Sequence, residues 1–242
     1  MYELENQKKR EDSMKDDLVL RVKELNVELE GETVINNLSF ELKKGDAVTI
    51  IGPNGAGKTV LLKTLLGLLP YKGEISWKKN IRIGYVPQRL PFIKDIPLSV
   101  KDFLRLKRPS EKELEVTVNS VGFKQNLLDK KTGDLSSGQF QRLLIAWSLI
   151  KDPQVLLFDE PTTGIDIEGE ETVYKLLERL KESRELTVLL VTHDLSVVYT
   201  FSNNVICLNK QPVCHGLPQE VLTPENLKRL YGEEVKYYHH KH

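Results

Sequence analysis

Gly52-Pro53-Asn54-Gly55-Ala56-Gly57-Lys58-Thr59 stands between two segments of different periodicity. Before it, Asp46–Gly52 has an almost continuous apolar centre, as a strand covered on both faces does. After it, apolar residues recur at 61, 62, 65, 66 and 69, a helical stripe that Pro70 stops. The pattern G-x-x-x-x-G-K-T has a physical purpose. Its three glycines let the backbone curl until successive N–H groups face inward, toward phosphate oxygens. The helix that follows adds its positive N-terminal end to the same anion. Lys58 can then reach the β- and γ-phosphates of a nucleotide, and the Thr59 hydroxyl can ligate Mg²⁺. Strand, phosphate-binding turn and helix in that order predict an α/β fold with a mostly parallel sheet.

Farther along, Val155-Leu156-Leu157-Phe158 is a short apolar strand followed at once by Asp159-Glu160. Open parallel sheets place their ligands at such C-terminal strand ends. The two acids suit different tasks: Asp159 to hold Mg²⁺ through its waters, Glu160 to accept a proton from attacking water. The later chain goes on alternating strand and helix: a helix at Glu170–Glu182, TVLLVTH, a helix at Leu195–Phe201, then NVICLN. That alternation again predicts parallel strands with helices on the sheet faces. The N-terminal segments LVLRVKELNVELEG and TVINNLSFELKKG alternate apolar and polar residues instead, as half-buried antiparallel strands do. GEISW and RIGYVPQ read as further short strands, and a helical stretch runs from about Leu98 to Ile150. The chain is therefore expected to form one domain over residues 18–242, with a helical lobe inserted at roughly 89–152. Residues 1–17 are mostly charged and read as a mobile arm, within which Met14 is an alternative start.

Composition narrows the function. Thirty-five Lys and Arg balance thirty-five Asp and Glu, which speaks against a basic nucleic-acid binder. The longest apolar run, Leu143–Trp147, is far shorter than the ~20 residues of a membrane-spanning helix, and no signal-like segment follows Met1. The expected location is cytosolic. Cys207 and Cys214 make no disulfide framework and no zinc pattern, and read as two small packed apolar residues.

From Leu18 to about Tyr238 the sequence resembles the ABC-type ATPases. Leu135-Ser136-Ser137-Gly138-Gln139, followed by Phe140-Gln141-Arg142, is similar to that family's signature motif, with Ser137 where glycine is usual. The residues agree with such a role, because serine hydroxyls, a glycine N–H and a helix start near Ser136 form a second anion-binding surface. The resemblance implies a P-loop NTPase core with an N-terminal antiparallel β subdomain and an inserted helical subdomain. It implies that ATP and Mg²⁺ bind at Gly52, Pro53, Asn54, Gly55, Ala56, Gly57, Lys58, Thr59 and Val60. It further implies that Ser136, Ser137, Gly138 and Gln139 of one subunit close over the ATP of another, in a head-to-tail homodimer.

Other positions carry over one at a time. Gln88 in YVPQ matches the glutamine that senses Mg²⁺ and the attacking water, so the metal set is Thr59, Gln88 and Asp159 and the catalytic set Glu160, His193 and Gln88. His193 lies 33 residues beyond Glu160 and matches the histidine that contacts the γ-phosphate. Pro161 through Asp166 match the loop linking the two sites, Asp166 its usual acid. Leu29 stands where an aromatic residue normally stacks on adenine. Base stacking contributes ~1–3 kcal/mol, so weaker or less base-selective nucleotide binding is expected.

Leu135 lies 76 residues beyond Thr59, which suits a transporter subunit and excludes relatives with long coiled coils inserted there. There is one phosphate loop, so the chain is no fused twin cassette. The lobe opening Arg89–Leu104 and the elements LN…CHG, VLTPENL and YG are similar to the branch serving zinc, manganese or iron importers. That branch implies separate membrane permeases, an extracytoplasmic metal-binding receptor, no nucleic acid, and a place on the cytoplasmic face of the membrane. The alternatives are a soluble ABC ATPase unconnected to transport and an importer of another substrate class. His239, His240 and His242 read as a solvated tail or tag remnant rather than a metal site.

Overall fold

The computed structural model describes residues 17–88, 97–162, 165 and 167–232. The proposed arm, the start of the lobe opening at 89–96, Thr163, Gly164, Asp166 and the histidine tail lie outside the described residues. β1 (Leu18–Leu29) and β2 (Glu32–Lys43) are the two alternating segments, joined by a two-residue turn at Glu30 and Gly31, both with positive φ. β3 (Ala47–Ile51) is buried along its whole length, as its continuous apolar run predicted. The glycine-rich loop leads from it into α1 (Lys58–Leu65). α1 ends before the expected stop at Pro70: Gly67 turns the chain, and Leu68 N–H bonds back to Lys63 O. β4 (Lys72–Trp77) and β5 (Ile83–Val86) follow.

The expected helical stretch is broken into α2 (Val100–Arg105), α3 (Glu111–Ser120), α4 (Gln125–Leu128) and α5 (Ser137–Leu149). The breaks are written in the sequence as caps. Ser99, Ser110 and Ser136 each accept a hydrogen bond from a first-turn backbone N–H. β6 (Val155–Asp159), α6 (Ile167–Arg184), β7 (Thr187–Val191), α7 (Leu195–Phe201), β8 (Asn204–Asn209), β9 (Gln211–Gly216), α8 (Pro218–Val221) and α9 (Pro224–Tyr231) complete the chain. It divides into two compact units, Met1–Lys79 with Val191–His242, and Asn80–Leu190.

In the first unit, β2, β1 and β4 form an antiparallel sheet in that order. Strict alternation fails twice in it. Lys23 and Glu24 of β1 oppose the single residue Ser39, and Asn36 and Asn37 of β2 oppose the single residue Asn26. These are two β-bulges on facing strands, each with a residue at positive φ (Glu24, 47°; Asn37, 52°). The lone residue opposite each bulge closes it. Ser39 Oγ accepts from Glu24 N–H at 2.8 Å, and Asn26 Oδ1 accepts from Asn37 N–H at 2.9 Å. Because the bulge at Lys23 and Glu24 shifts the parity of β1, Leu20 and Val22, then Leu25 and Val27, all stay buried. The same unit holds β3 paired parallel to β8, and β9 antiparallel to β8. Cys207 and Cys214 face each other across β8 and β9, Cα atoms 4.9 Å apart, and are joined by a disulfide rather than merely packed.

In the second unit β5 and β6 run parallel, with β7 next to β6. α5 buries Leu143, Leu144, Ile145, Ala146 and Leu149. Near its end, Lys107 lies 5.0 Å over the Trp147 ring and donates to the Trp147 carbonyl at 2.8 Å. The Phe103 ring packs on the other aromatic at 4.6 Å, which ties α2 to α5.

Candidate nucleotide site

The phosphate-loop residues, Gln88, the two acids and His193 all follow strand ends. Ile51 ends β3, and Gly52 begins the loop in a place where no side chain fits. A Cβ there would fall well inside van der Waals contact of Leu208 O on β8. Gly55 and Gly57 take φ values of 79° and 96°, which L side chains rarely adopt. Gly57 is the N-cap of α1, and no side chain caps that helix. A Cβ at Gly57 would also come within 2.9 Å of Val34 O. The result is a curled loop with a helix start directed into it, the geometry that receives an anion. Lys58 is buried, its Nζ donating to Gly52 O at 2.8 Å and to Pro53 O at 3.0 Å. Its ammonium therefore lies folded over the very loop that phosphates would fill. Asn54 and Gly55 are exposed, while Pro53, Thr59 and Val60 are half-buried.

His193 belongs to this unit. Thr192 N–H bonds Ile50 O of β3, and Asp194 caps α7 through Ser196 N–H at 2.8 Å. The exposed imidazole is thus held on a short turn, one residue past a bond to the strand that feeds the phosphate loop.

The acids lie in the second unit, at the end of β6. Asp159 is 1% exposed, and the Tyr85 hydroxyl of β5 stands 3.5 Å from its Oδ2. Burial first, then the Asp159 charge, push the Tyr85 phenol up to about 12. Glu160 adopts φ 45°, so the chain leaves the strand there in a left-handed turn. Its Oε2 accepts a 2.7 Å hydrogen bond from Gln88 Nε2. Gln88, Asp159 and Glu160 are therefore brought together, two strand ends side by side. Thr162 follows, its hydroxyl 3.3 Å from that of Tyr174 on α6.

Ser136–Gln139 surround a separate feature. Ser136 Oγ accepts from Gln139 N–H, and Gln139 Oε1 accepts from Ser136 N–H, both at 3.2 Å, a complete capping box. A cleft of about 340 Å³ opens here, lined by Ser136, Ser137, Gly138, Gln139 and Arg142 on α5 and by Gly169, Thr172 and Val173 on α6. Gln139 uses its side chain on the cap, so what it offers a ligand is the helix start it stabilises. Sequence reasoning did not single out Tyr85 or Tyr174, and it named Gln141 only as part of the signature-like stretch. Gln141 is buried, and its Nε2 has no hydrogen-bond partner among the described residues. The signal for Tyr85 was present: period-two spacing on β5 beside an acid-tipped strand.

The oxygens of Asp159 and Thr59 and the amide oxygen of Gln88 are hard donors of the kind Mg²⁺ takes. Leu29, at the end of β1, pairs with Glu32 and is half-buried. Among the described residues no helix is long and apolar enough to cross a membrane, and no group of three or more His, Cys, Asp or Glu is placed to hold a metal.

Comparison with known proteins agrees with this fold. Residues 35–163 match the ABC transporter family. The zinc import ATP-binding protein ZnuC of Pseudomonas entomophila is 37% identical over 231 residues, spanning 93% of this chain and 90% of that protein. ZnuC of Brucella abortus is 36% identical over 93% of this chain and 78% of its own length. Among solved structures, an inward-facing ABC transporter of metal-chelate type superposes with a TM-score of 0.79 at 29% identity, covering 88% of this chain and 89% of that one. cbiO1 of Clostridium perfringens, part of the ABC transporter complex cbiONQ, gives 0.76 at 28%, covering 88% and 94%. With its α/β core, antiparallel N-terminal sheet and inserted helices, the chain belongs to the ABC transporter family as an ATP-binding, ATP-hydrolysing subunit.

Proposed function

We propose that this chain powers the import of a divalent transition metal, zinc before manganese or iron, through a separate membrane permease. The observation that carries the chemistry is the strand end where buried Asp159 and outward-turned Glu160 meet Gln88. The zinc-import names of relatives 36–37% identical over 93% of the chain support the cargo.

The residues divide the work. Lys58 leaves the Gly52 and Pro53 carbonyls for the β- and γ-phosphates, while the N–H groups from Asn54 to Val60 cradle them. Thr59, Asp159 and Gln88 would hold Mg²⁺, whose charge neutralises that of the phosphates. Glu160 takes the proton of the attacking water, and His193 contacts the γ-phosphate and orients that water. Ser136–Gln139 of a second copy close over the first copy's ATP, so the working form is a head-to-tail homodimer. The dimer sits at the cytoplasmic face of the membrane, its helical subdomain at roughly 89–152 gripping the permease, with an extracytoplasmic receptor supplying the metal from the other side. No nucleic acid takes part.

The test is uptake. Cells lacking their own zinc-import ATPase and carrying this chain with its permease and receptor should accumulate labelled zinc, and Glu160→Gln should stop it. Normal zinc uptake by the Glu160→Gln cells would remove the proposed base. Uptake of labelled manganese or iron with none of zinc would reassign the cargo.

A further inference from the structure

The Cys207–Cys214 pair takes no part in the scheme above, yet it lies beside the strand that feeds the phosphate loop. Cys207 is fully buried on β8, in a cluster with Ile51, Val205 and Leu230, and Ile51 is the residue that leads into Gly52. The next residue, Leu208, presents the carbonyl that excludes a side chain at Gly52. At the turn between β8 and β9, Lys210 N–H bonds Ala56 O in the middle of the loop at 3.1 Å, and Lys210 O accepts from Asn36 N–H at 2.6 Å. The hairpin that carries both cysteines is thus stitched directly to the nucleotide-binding turn.

We propose that Cys207 and Cys214 form a reversible thiol–disulfide switch that sets how firmly this hairpin braces the phosphate loop, and so how tightly the chain binds ATP. This inference rests on the phosphate-loop role proposed above. The two cysteines are unequal, which gives the reaction an order: Cys214 is half-buried and Cys207 is sealed. A small disulfide of the glutathione type is the oxidant. The Cys214 thiolate attacks one of its sulfurs, its S–S bond breaks, and the departing thiolate takes up the proton that Cys214 lost. Cys207 then gives up its proton and attacks Cys214 Sγ, expelling the second small thiol, which carries that proton away. Two electrons pass from the protein to the small disulfide, which becomes two thiols. Excess small thiol runs the same steps backward, entering at Cys214. On the cytoplasmic side, where thiols are held reduced and disulfides serve mainly as sensors, such a pair stays open until the disulfide fraction rises.

The bonded form pins β9 to β8 and so pre-organises the strand that backs Gly52. It is expected to bind ATP more tightly by about threefold or more. The experiment treats the full chain with glutathione disulfide or with dithiothreitol, then measures free thiols, intact mass and ATP affinity. Two thiols after reduction and none after oxidation, without added glutathione mass, are expected together with the affinity difference. Cys214→Ser, at the less buried position, should bind like the reduced protein under both conditions. Persistent free thiols, a lasting glutathione adduct, equal ATP affinity in both forms, or a redox-responsive Cys214→Ser would each overturn the proposal. Failure of the phosphate-loop reading looks different: Lys58→Ala would keep full ATP affinity while the thiol count still switched.

Discussion

Replacing Glu160 with glutamine isolates the proton-accepting step. Glu160 Oε2 takes a 2.7 Å hydrogen bond from Gln88 Nε2, and a glutamine carbonyl can accept the same bond. The left-handed φ of 45° costs glutamine no more than it costs glutamate, because the two have the same branching at Cβ. The fold, the Asp159 environment and the phosphate loop are therefore left alone, and only the basic oxygen is removed. A positioned general base contributes typically 10²–10⁴ in rate. At 1.36 kcal/mol per decade, about 2.7–5.4 kcal/mol is added to the barrier. Phosphate release should fall by that factor while binding of a non-hydrolysable ATP analogue stays unchanged. Light scattering with saturating ATP should report a long-lived dimer, since ATP binds but is not cleaved. Glu160→Ala should lose turnover as well but also strip Gln88 of its partner, so its thermal stability should fall below that of Glu160→Gln. Wild-type turnover by Glu160→Gln would refute the assignment.

Gly52→Ala should lose ATP binding and lower the melting temperature, because its methyl group collides with the Leu208 carbonyl; wild-type melting and affinity would show that the loop and β8 separate freely. Tyr85 holds its proton in the folded chain to about 12 against 10.0 for an ordinary tyrosine. The unfolded chain therefore ionises first, and this contribution is intact below pH 10 and lost as pH rises toward 12. Chemical denaturation across that window should be steeper in its pH dependence for the parent than for Tyr85→Phe, and equal slopes would count against the reasoning. With Leu29 where an aromatic ring would stack, GTP should compete with ATP on nearly equal terms, and a strong ATP preference would mean that another group reads the base.

What the sequence carried most clearly was whatever rests on one short span. The buried strand Ala47–Ile51, the glycine loop and the capped start of α5 at Ser136 all follow from local sterics and hydrogen bonding. Boundaries that depend on partners were harder. Pro70 looked like the stop for α1, but Gly67 ends that helix earlier by taking the turn first. The stretch from Leu98 to Ile150 read as helical without its breaks, although Ser99, Ser110 and Ser136 mark three of the restarts. The cysteines needed the register of β8 with β9, which no spacing in the chain reveals. Tyr85 needed a neighbour 74 positions away, and only parallel pairing of β5 with β6 brings the two together.

The twin bulges in β1 and β2 have a consequence for how this protein keeps to itself. A flat exposed ribbon is a template on which another chain can add a strand. Here β2 is an edge of its sheet, and the bulge at Asn36 and Asn37, where Asn36 N–H is already given to Lys210 O, interrupts its run of backbone donors and acceptors at mid-length. A foreign strand aligned with one half of β2 is out of register with the other half. In a crowded cell the kink thus works as a guard against sticky association, enforced by one short polar side chain, Asn26, that holds it in place.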